Sequence, residues 1–261
     1  MIHEYHRPQT LDEALALLTQ PNTVPLGGGT LLSQRTPFDY AQGGPDPVSV
    51  VDLQSLGLNT VKKQGNNLEI GATTTFQQLL EDDNYCPKAL KTALKLEATL
   101  NLRNSATVAG TLVSCDGRST FATVMLALDA KLSVIPLQGL RSEQSSVIGV
   151  GEFLPLRPRG LITSISIPLN VKLAFEYVSR TPADKPIVCA ALAQWNSGRT
   201  RLALGGYGKS PLLAMDGTEA EGLEAAARNA FHEAADEWAS AEYRSDVAAV
   251  LAKRCEAGQP A

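Results

Sequence analysis

The sequence lacks the features that mark several specialised classes of protein. It has only four cysteines, which form no Cys-x-x-Cys pair: Cys86, Cys115, Cys189 and Cys255. This spacing argues against a zinc or iron–sulfur site, and four unpaired thiols suit a reducing compartment. No apolar run approaches the roughly 18 residues that span a bilayer, and the first ten residues are too polar for a signal peptide. We therefore expect a cytoplasmic protein with no metal centre and no membrane span.

Positive charge is also scarce. The 23 Lys and Arg residues are outnumbered by 27 Asp and Glu residues, which gives a net charge of -4, and the basic residues form no run. A general nucleic-acid-binding protein needs a basic face, so we expect no nucleic-acid partner. Hydrophobic residues make up 44% of the chain and charged residues 19%, which are ordinary values for a globular protein. The 261 residues suffice for one large domain or two smaller ones.

Apolar periodicity and turn residues predict alternating helices and strands. Helices are predicted after the N-cap candidates Thr10 and Thr75, and over residues 87–100, 121–130, 217–235 and 245–254. Strands are predicted over residues 24–26, 48–53, 131–137 and 161–169, with a hairpin over residues 58–71 that turns at Gly65-Asn66-Asn67. Further strands are predicted over residues 174–178, 187–195 and 199–207. Mixed helices and strands are predicted before Pro168 and consecutive strands after it, and this change predicts a domain boundary there.

Two segments combine glycine with threonine. The first is Gly27-Gly28-Gly29-Thr30, which follows a short predicted strand, and the second is Thr107-Val108-Ala109-Gly110-Thr111. Glycine lets backbone N–H groups converge on an anion, because no Cβ blocks the approach. Two such segments facing each other could hold a pyrophosphate. Neither matches a Rossmann or P-loop spacing, and the alternative that each is merely a tight turn stays open.

In their order along the chain, the segments resemble the FAD-binding medium subunit, or FAD domain, of the molybdenum hydroxylases, such as carbon monoxide dehydrogenase and xanthine dehydrogenase. Tyr5-His6-Arg7-Pro8 resembles the opening of that family, and Gly28-Gly29-Thr30 resembles its first flavin loop. Leu102-Arg103-Asn104 with Thr107-Val108-Ala109-Gly110 resembles its second flavin loop. Leu126-Ala127-Leu128-Asp129-Ala130 is similar to the helix that follows. The collinearity of these pieces over nearly the whole chain carries the resemblance.

The resemblance implies an α+β fold. An FAD-binding domain is expected over residues 1–168, with subdomains of about 1–53 and 54–168. A small C-terminal α+β domain with an antiparallel sheet is expected over residues 169–261. FAD would lie between the two segments, with its pyrophosphate against the backbone amides of both.

The resemblance also implies a function and partners. The chain would be the electron-transfer subunit of an oxidoreductase, receiving electrons from an iron–sulfur small subunit and passing them to an external acceptor. A large subunit would carry the molybdenum cofactor. No catalytic side chain is expected here, because the flavin supplies the chemistry.

The resemblance places the cofactor contacts in and around the two segments: Leu26, Gly27, Gly28, Gly29, Thr30, Leu31, Arg103, Thr107, Ala109, Gly110, Thr111, Ser114 and Thr120. Ser114 and Thr120 would face the ribityl chain or the ring. Arg103 would shape the second segment through its fork of donors, with a structural ion pair as the alternative.

The sequence departs from the family pattern at five positions: Leu31, Ala109, Thr111, Thr120 and Tyr177. The family usually has a polar residue, glycine, asparagine, aspartate and lysine at these places. The lost donors and charges motivate an alternative function, in which the chain keeps the fold but binds no FAD and serves as a structural or interaction subunit.

Overall fold

A computed structural model describes residues 2–31, 48–82, 84–137, 145–218 and 220–258. The fold is α+β, as predicted. The described helices are α1 (Leu11–Leu18), α2 (Phe76–Glu81), α3 (Lys88–Glu97), α4 (Leu100–Arg103), α5 (Val108–Ser114), α6 (Thr120–Ala127), α7 (Val150–Leu156), α8 (Leu223–Ala230) and α9 (Ala241–Ala257). The described strands are β1 (Ile2–His6), β2 (Thr23–Leu26), β3 (Val48–Asp52), β4 (Val61–Gln64), β5 (Asn67–Gly71), β6 (Lys131–Pro136), β7 (Ser146–Gly149), β8 (Gly160–Pro168), β9 (Val171–Val178), β10 (Val188–Trp195), β11 (Thr200–Gly205) and β12 (Leu212–Gly217).

The described strands form three sheets. The first has the order β1-β3-β2 and is parallel. The second has the order β4-β5-β8-β6-β7 and is antiparallel, and the third is an antiparallel sheet of order β12-β11-β10-β9. The second sheet ends at Pro168 and the third begins at Val171. The domain boundary at residue 168 stays a prediction.

Local signals account for the predicted elements near the N-terminus. Thr10 is the N-cap of α1, and its side chain accepts a hydrogen bond from the backbone of Glu13. Thr75 and Gln78 form a complete capping box at the start of α2. The predicted hairpin is β4–β5, with Gln64 paired to Asn67 across its turn. These predictions are confirmed because each depends on residues close together in sequence.

The predicted helix over residues 217–235 is wrong in its bounds. Residues 212–217 instead form β12, which pairs with β11, and the helix α8 begins only at Leu223. Gly222 precedes it with φ +84°, a left-handed conformation that stops a helix from extending backward through it. Strand β12 exists through its pairing with β11, which the local sequence does not indicate.

Helix α6 lies at the centre of the largest core. All eight of its residues are buried. Its Phe121 ring lies 5.0 Å from the ring of Phe76, and the same cluster includes Ala191 on β10 and Ala203 on β11. One helix therefore packs against both the second-sheet region and the third sheet.

Candidate functional site

A cavity of about 320 Å³ lies where the end of β2 meets α5 and the start of β8. This volume is at the lower end of the roughly 300–1,000 Å³ typical of small-molecule sites. Residues 26–31 line one side of it. The cavity is also lined by other residues of the predicted set: Thr107, Ala109, Gly110, Thr111 and Ser114. The fold thus brings the two segments together around one space.

The first segment is held at the carboxyl edge of the parallel sheet. The Leu53 amide donates to the Leu26 carbonyl at 3.1 Å, which continues the β2–β3 pairing. The Gln54 side chain donates from Nε2 to the Gly27 carbonyl at 3.3 Å, and the Gln54 amide donates to the Asp52 carboxylate at 2.9 Å. These bonds hold the carbonyl side of the segment against the protein.

Glycine is required in the first segment by its contact with the second. A Cβ on Gly28 would lie 1.6 Å from the carbonyl oxygen of Ser105, and a Cβ on Gly27 would lie 2.7 Å from Thr107 Oγ1. Gly29 adopts φ +69°, in the left-handed region that favours glycine. The two segments are therefore in direct contact, with no room for a side chain between them.

The amides of the first segment are the ones left for a ligand. Within the described residues, the structure gives the N–H groups of Gly28 and Gly29 no protein acceptor, and both residues line the cavity. Backbone N–H groups without a protein partner are ready donors to a phosphate or carboxylate oxygen.

The second segment is not an isolated tight turn: it forms the N-cap and the first helical turn of α5. Thr107 is its N-cap and accepts the Gly110 amide at 3.2 Å. The amides of Val108 and Ala109 donate to the carbonyls of Thr74 and Ala72, at 3.0 and 3.2 Å. The first three amides of this segment therefore bond to protein acceptors, and the expectation that a pyrophosphate lies against the amides of both segments stays a prediction.

Ala109 fits this helical conformation without strain. It lies within α5 and is buried, and it is absent from the described non-glycine residues that have positive φ: Asn22, Asp129 and Arg157. A methyl group at position 109 therefore needs no left-handed backbone, and glycine is not required there.

Helix α5 is also held at its other end. Arg157 donates from Nη1 to the Val113 carbonyl at 2.7 Å and from Nη2 to the Cys115 carbonyl. A guanidinium at these carbonyls satisfies the free acceptors of the last helical turn. Burial raises the pKa of the neighbouring Cys115 thiol to about 11, so this thiol stays protonated near neutral pH.

The described cavity wall is uncharged. It contains no Asp, Glu, Lys, Arg or aromatic side chain, and its polar groups are backbone amides and hydroxyls. The Thr111 hydroxyl donates to the Thr107 carbonyl at 3.0 Å, and the Ser114 hydroxyl donates to the Gly110 carbonyl at 2.9 Å. Their oxygens keep lone pairs that can accept from a ligand.

Two residues of the predicted set lie outside the cavity. Thr120 is 1% exposed, and its hydroxyl donates to the Ala93 carbonyl at 2.7 Å. The Glu97 carboxylate accepts from the Phe121 amide at 3.0 Å and lies 3.1 Å from Thr120 Oγ1. The carboxylate at the start of α6 is therefore that of Glu97, which belongs to α3.

Arg103 ends α4 and has no ion pair among the described residues, so the structure does not support its alternative role in an ion pair.

Other cavity residues were missed from the sequence. Leu53 follows β3, Thr73 follows β5, and Ile162 lies on β8. Each comes from a different element, so no local motif joins them. The one available signal is that Leu53 is the last residue of a predicted strand and Thr73 comes just after the predicted hairpin.

Two further searches of the described residues concern metals and membranes. No group of three or more His, Cys, Asp or Glu side chains there could hold a metal ion. Among the same residues, no helix combines the length and the apolar character that a bilayer crossing requires.

Comparisons with known proteins identify the family. Residues 1–170 match the family model described as the FAD binding domain in molybdopterin dehydrogenase. The chain is 26% identical over 275 residues to the carbon monoxide dehydrogenase medium chain of Afipia carboxidovorans, covering 96% of this chain and 94% of that one. It is 29% identical over 232 residues to the xanthine dehydrogenase FAD-binding subunit of Escherichia coli O157:H7, covering 80% and 75%.

A solved structure agrees over the whole fold. The reconstituted CO dehydrogenase from Oligotropha carboxidovorans superposes with a TM-score of 0.80 at 25% identity, covering 97% of this chain and 96% of that one. Both the match over residues 1–170 and the likeness over the full length agree with the resemblance stated from the sequence. The chain belongs to the family of FAD-binding domains of molybdopterin dehydrogenases, an oxidoreductase family whose cofactor on this subunit is FAD.

Proposed function

We propose that the chain is the electron-transfer subunit of a molybdenum hydroxylase-like oxidoreductase, in which FAD receives electrons from iron–sulfur clusters and passes them to an external acceptor. The observation that carries the proposal is the cavity between residues 26–31 and α5, with two backbone amides that have no protein acceptor among the described residues. The names of the relatives, a medium chain and an FAD-binding subunit, support the same assignment.

The residues present fit the phosphate-bearing part of FAD. The Gly28 and Gly29 amides would donate to phosphate oxygens, and the absence of Cβ atoms there allows the close approach that such donation needs. When bound, FAD accepts and releases electrons, a chemistry that no side chain has to supply. The task of this chain is to bind and orient the cofactor and to exclude water from it.

Helix α5 has a supporting part in this proposal. Its first amides bond to Thr74, Ala72 and Thr107, and its last carbonyls bond to Arg157. A helix held at both ends presents the Thr111 and Ser114 hydroxyls in a constant position. We assign these hydroxyls as acceptors of hydrogen bonds from the cofactor, and Leu26, Leu31 and Ala109 as apolar contacts. Thr120 and Arg103 have no place in this arrangement.

The proposal extends to organisation and partners. The FAD-binding domain is taken to end near residue 168, and the third sheet with α8 and α9 forms the C-terminal domain. The partners are an iron–sulfur small subunit and a molybdenum-cofactor large subunit. The four free, buried cysteines support a cytoplasmic location.

The first test is the visible absorption spectrum of the purified chain, followed by titration with FAD. An oxidised-flavin spectrum or tight uptake of FAD is the expected result. Co-purification with an iron–sulfur and a molybdenum subunit, followed by reduction of the bound flavin when the complex receives its substrate, tests the electron-transfer role. A complex whose flavin stays oxidised under these conditions contradicts that role.

The uncharged cavity wall favours one second candidate. The described part of the wall offers amides and hydroxyls but no charged side chain, and so fewer strong contacts to a charged cofactor than the family pattern provides. In that candidate the protein is a structural subunit without FAD. A folded chain that stays colourless at saturating FAD, both alone and in its complex, is the result that this candidate predicts.

A further inference from the structure

Thr73 has an unusual environment at the cavity. It follows β5, it lines the cavity, and it is 6% exposed. Its backbone amide donates to the Leu58 carbonyl at 2.9 Å. Its hydroxyl oxygen is buried and has no hydrogen-bond partner in the described part of the chain. A buried hydroxyl without a partner destabilises a folded protein, so its presence needs a reason.

The backbone on both sides of Thr73 is attached to the start of α5. The Ala72 carbonyl accepts the Ala109 amide at 3.2 Å, and the Thr74 carbonyl accepts the Val108 amide at 3.0 Å. Thr73 therefore lies beside the second segment, at the same wall as Thr107 and the residues of α5 that border the cavity. The hydrogen bonds of its neighbours leave Thr73 little freedom to move as a whole.

Threonine occupies staggered positions about its Cα–Cβ bond, and a change between two of them exchanges the hydroxyl with the methyl group or with hydrogen. A ligand in the cavity could draw the hydroxyl toward it by offering the missing partner. No group of the described protein competes for that oxygen.

We infer that the Thr73 hydroxyl makes a hydrogen bond to the phosphate-and-sugar part of bound FAD. FAD would thereby supply the hydrogen-bond partner that this hydroxyl lacks among the described residues. The hydroxyl can donate to a phosphate oxygen or accept from a sugar hydroxyl. Thr73 is a cofactor-positioning residue in this inference, which rests on the proposed function of the cavity.

Thr74 provides a matched control. It is adjacent in sequence, fully buried, and its hydroxyl oxygen is likewise buried without a partner among the described residues. It is not one of the residues that line the cavity. The two threonines thus share residue type, burial and lack of a partner, and they differ in access to the ligand.

The test replaces each threonine by valine, which keeps the shape and removes the hydroxyl. FAD affinity is measured by fluorescence titration, and stability by the melting temperature of the FAD-free protein. For Thr73→Val we expect a dissociation constant raised about tenfold, as for one lost hydrogen bond, and a melting temperature that does not fall. For Thr74→Val we expect an unchanged dissociation constant and again no fall in melting temperature. Thr73→Ser should retain nearly the full affinity of the wild type.

Every outcome decides the inference. If Thr73→Val binds FAD as tightly as the wild type, the inference is overturned while the proposed function stands. If both valine variants lose affinity equally, the effect is structural and the inference is again overturned. If the wild type binds no FAD, either alone or in its complex, the proposed function fails and the inference fails with it. If Thr73→Val does not fold, the FAD affinities of Thr73→Ser and Thr73→Ala are compared instead. Serine keeps the hydroxyl and alanine removes it, so equal affinities for the two variants overturn the inference.

Discussion

The two glycine-and-threonine segments look alike in sequence and do different work. In residues 26–31 the glycines face the cavity with amides that have no described protein acceptor, and the carbonyl of Gly27 is held by Gln54. In α5 the amides of the first turn bond to Thr107, Thr74 and Ala72. Residues 26–31 therefore offer hydrogen-bond donors to a ligand. The first turn of α5 lines the cavity but has its amide donors bonded within the protein.

The difference shows what a glycine pattern alone leaves open. A backbone amide serves a ligand only if nothing in the protein uses it, so each donor must be followed to its acceptor. Gly110 and Gly28 are both followed by threonine within one residue or two, yet only Gly28 lacks an acceptor in the described structure. The comparison predicts that changes in the first segment affect ligand binding most, and that changes in the second affect stability first.

The largest effect is expected for Gly28→Ala, which breaks the contact between the segments. The new Cβ would lie 1.6 Å from the Ser105 carbonyl oxygen, so one segment must move away from the other. Overpacking of this kind costs about 1–3 kcal/mol, and we expect FAD affinity to fall by about 10- to 100-fold. Titration with FAD measures the effect.

Gly151→Ala is the control for this substitution. It makes the same chemical change in α7, where the Cβ would lie 3.3 Å from the movable end of the Leu126 side chain. Its FAD affinity should stay within about twofold of the wild type. Equal losses for the two variants would contradict the special role of Gly28.

The next effect is expected for Thr107→Val, which removes the cap of the second segment. The Gly110 amide loses its acceptor, and loss of an N-cap typically costs about 0.5–2 kcal/mol of stability. Urea unfolding should show this loss, with a smaller change in FAD affinity than for Gly28→Ala. Thr107→Ser keeps the hydroxyl and should unfold close to the wild type; a serine variant as unstable as the valine variant would show that the cap is not the cause.

A smaller effect is expected for Ala109→Gly, which restores the residue that the family pattern favours. Because position 109 is helical, glycine lowers the free energy of unfolding by about 0.5–1 kcal/mol. No gain in FAD affinity is expected, because the Ala109 amide bonds to the Ala72 carbonyl. Thermal unfolding and FAD titration together check the two halves of this prediction, and a clear gain in affinity would mean that the amides of α5 do reach the cofactor.

The smallest effect is expected for Gln54→Ala, which loosens the carbonyl side of the first segment. The bond from Gln54 to the Gly27 carbonyl is exposed, so its loss costs about 0.5–1 kcal/mol and FAD affinity falls about two- to fivefold. The melting temperature should barely change. Gln77→Ala removes an exposed side-chain bond to Glu81 on α2 and serves as the control, with FAD affinity expected to match the wild type.

Elements with local signals were the predictable part of the fold. Each of these signals lies within a few consecutive residues: the capping box at Thr75, the hairpin turn at Gly65 and the apolar run of α6. Strand β1 was missed, because its residues are mostly exposed and it exists through parallel pairing with the distant β3. Strand β12 was missed because it, too, is defined by its partner strand.

The site was predictable only as far as the family resemblance reached. The resemblance named residues 26–31 and most of those in α5 that line the cavity, and their part in FAD binding stays a prediction. It could not show which amides were occupied, since the acceptors Ala72 and Thr74 lie far from Ala109 in sequence. It also named Thr120, whose hydroxyl is committed to the Ala93 carbonyl in the interior.

The burial of α6 on all sides has a consequence for how the molecule comes apart. The helix packs against the second-sheet region on one side and against β10 and β11 of the third sheet on the other. If either sheet separates from α6, Phe121 and Met125 become exposed to solvent. Amide protons in α6 should therefore exchange only through global opening, as part of one cooperative unit. A fragment ending at residue 168 would expose the face of α6 that the third sheet covers and would tend to self-associate through it.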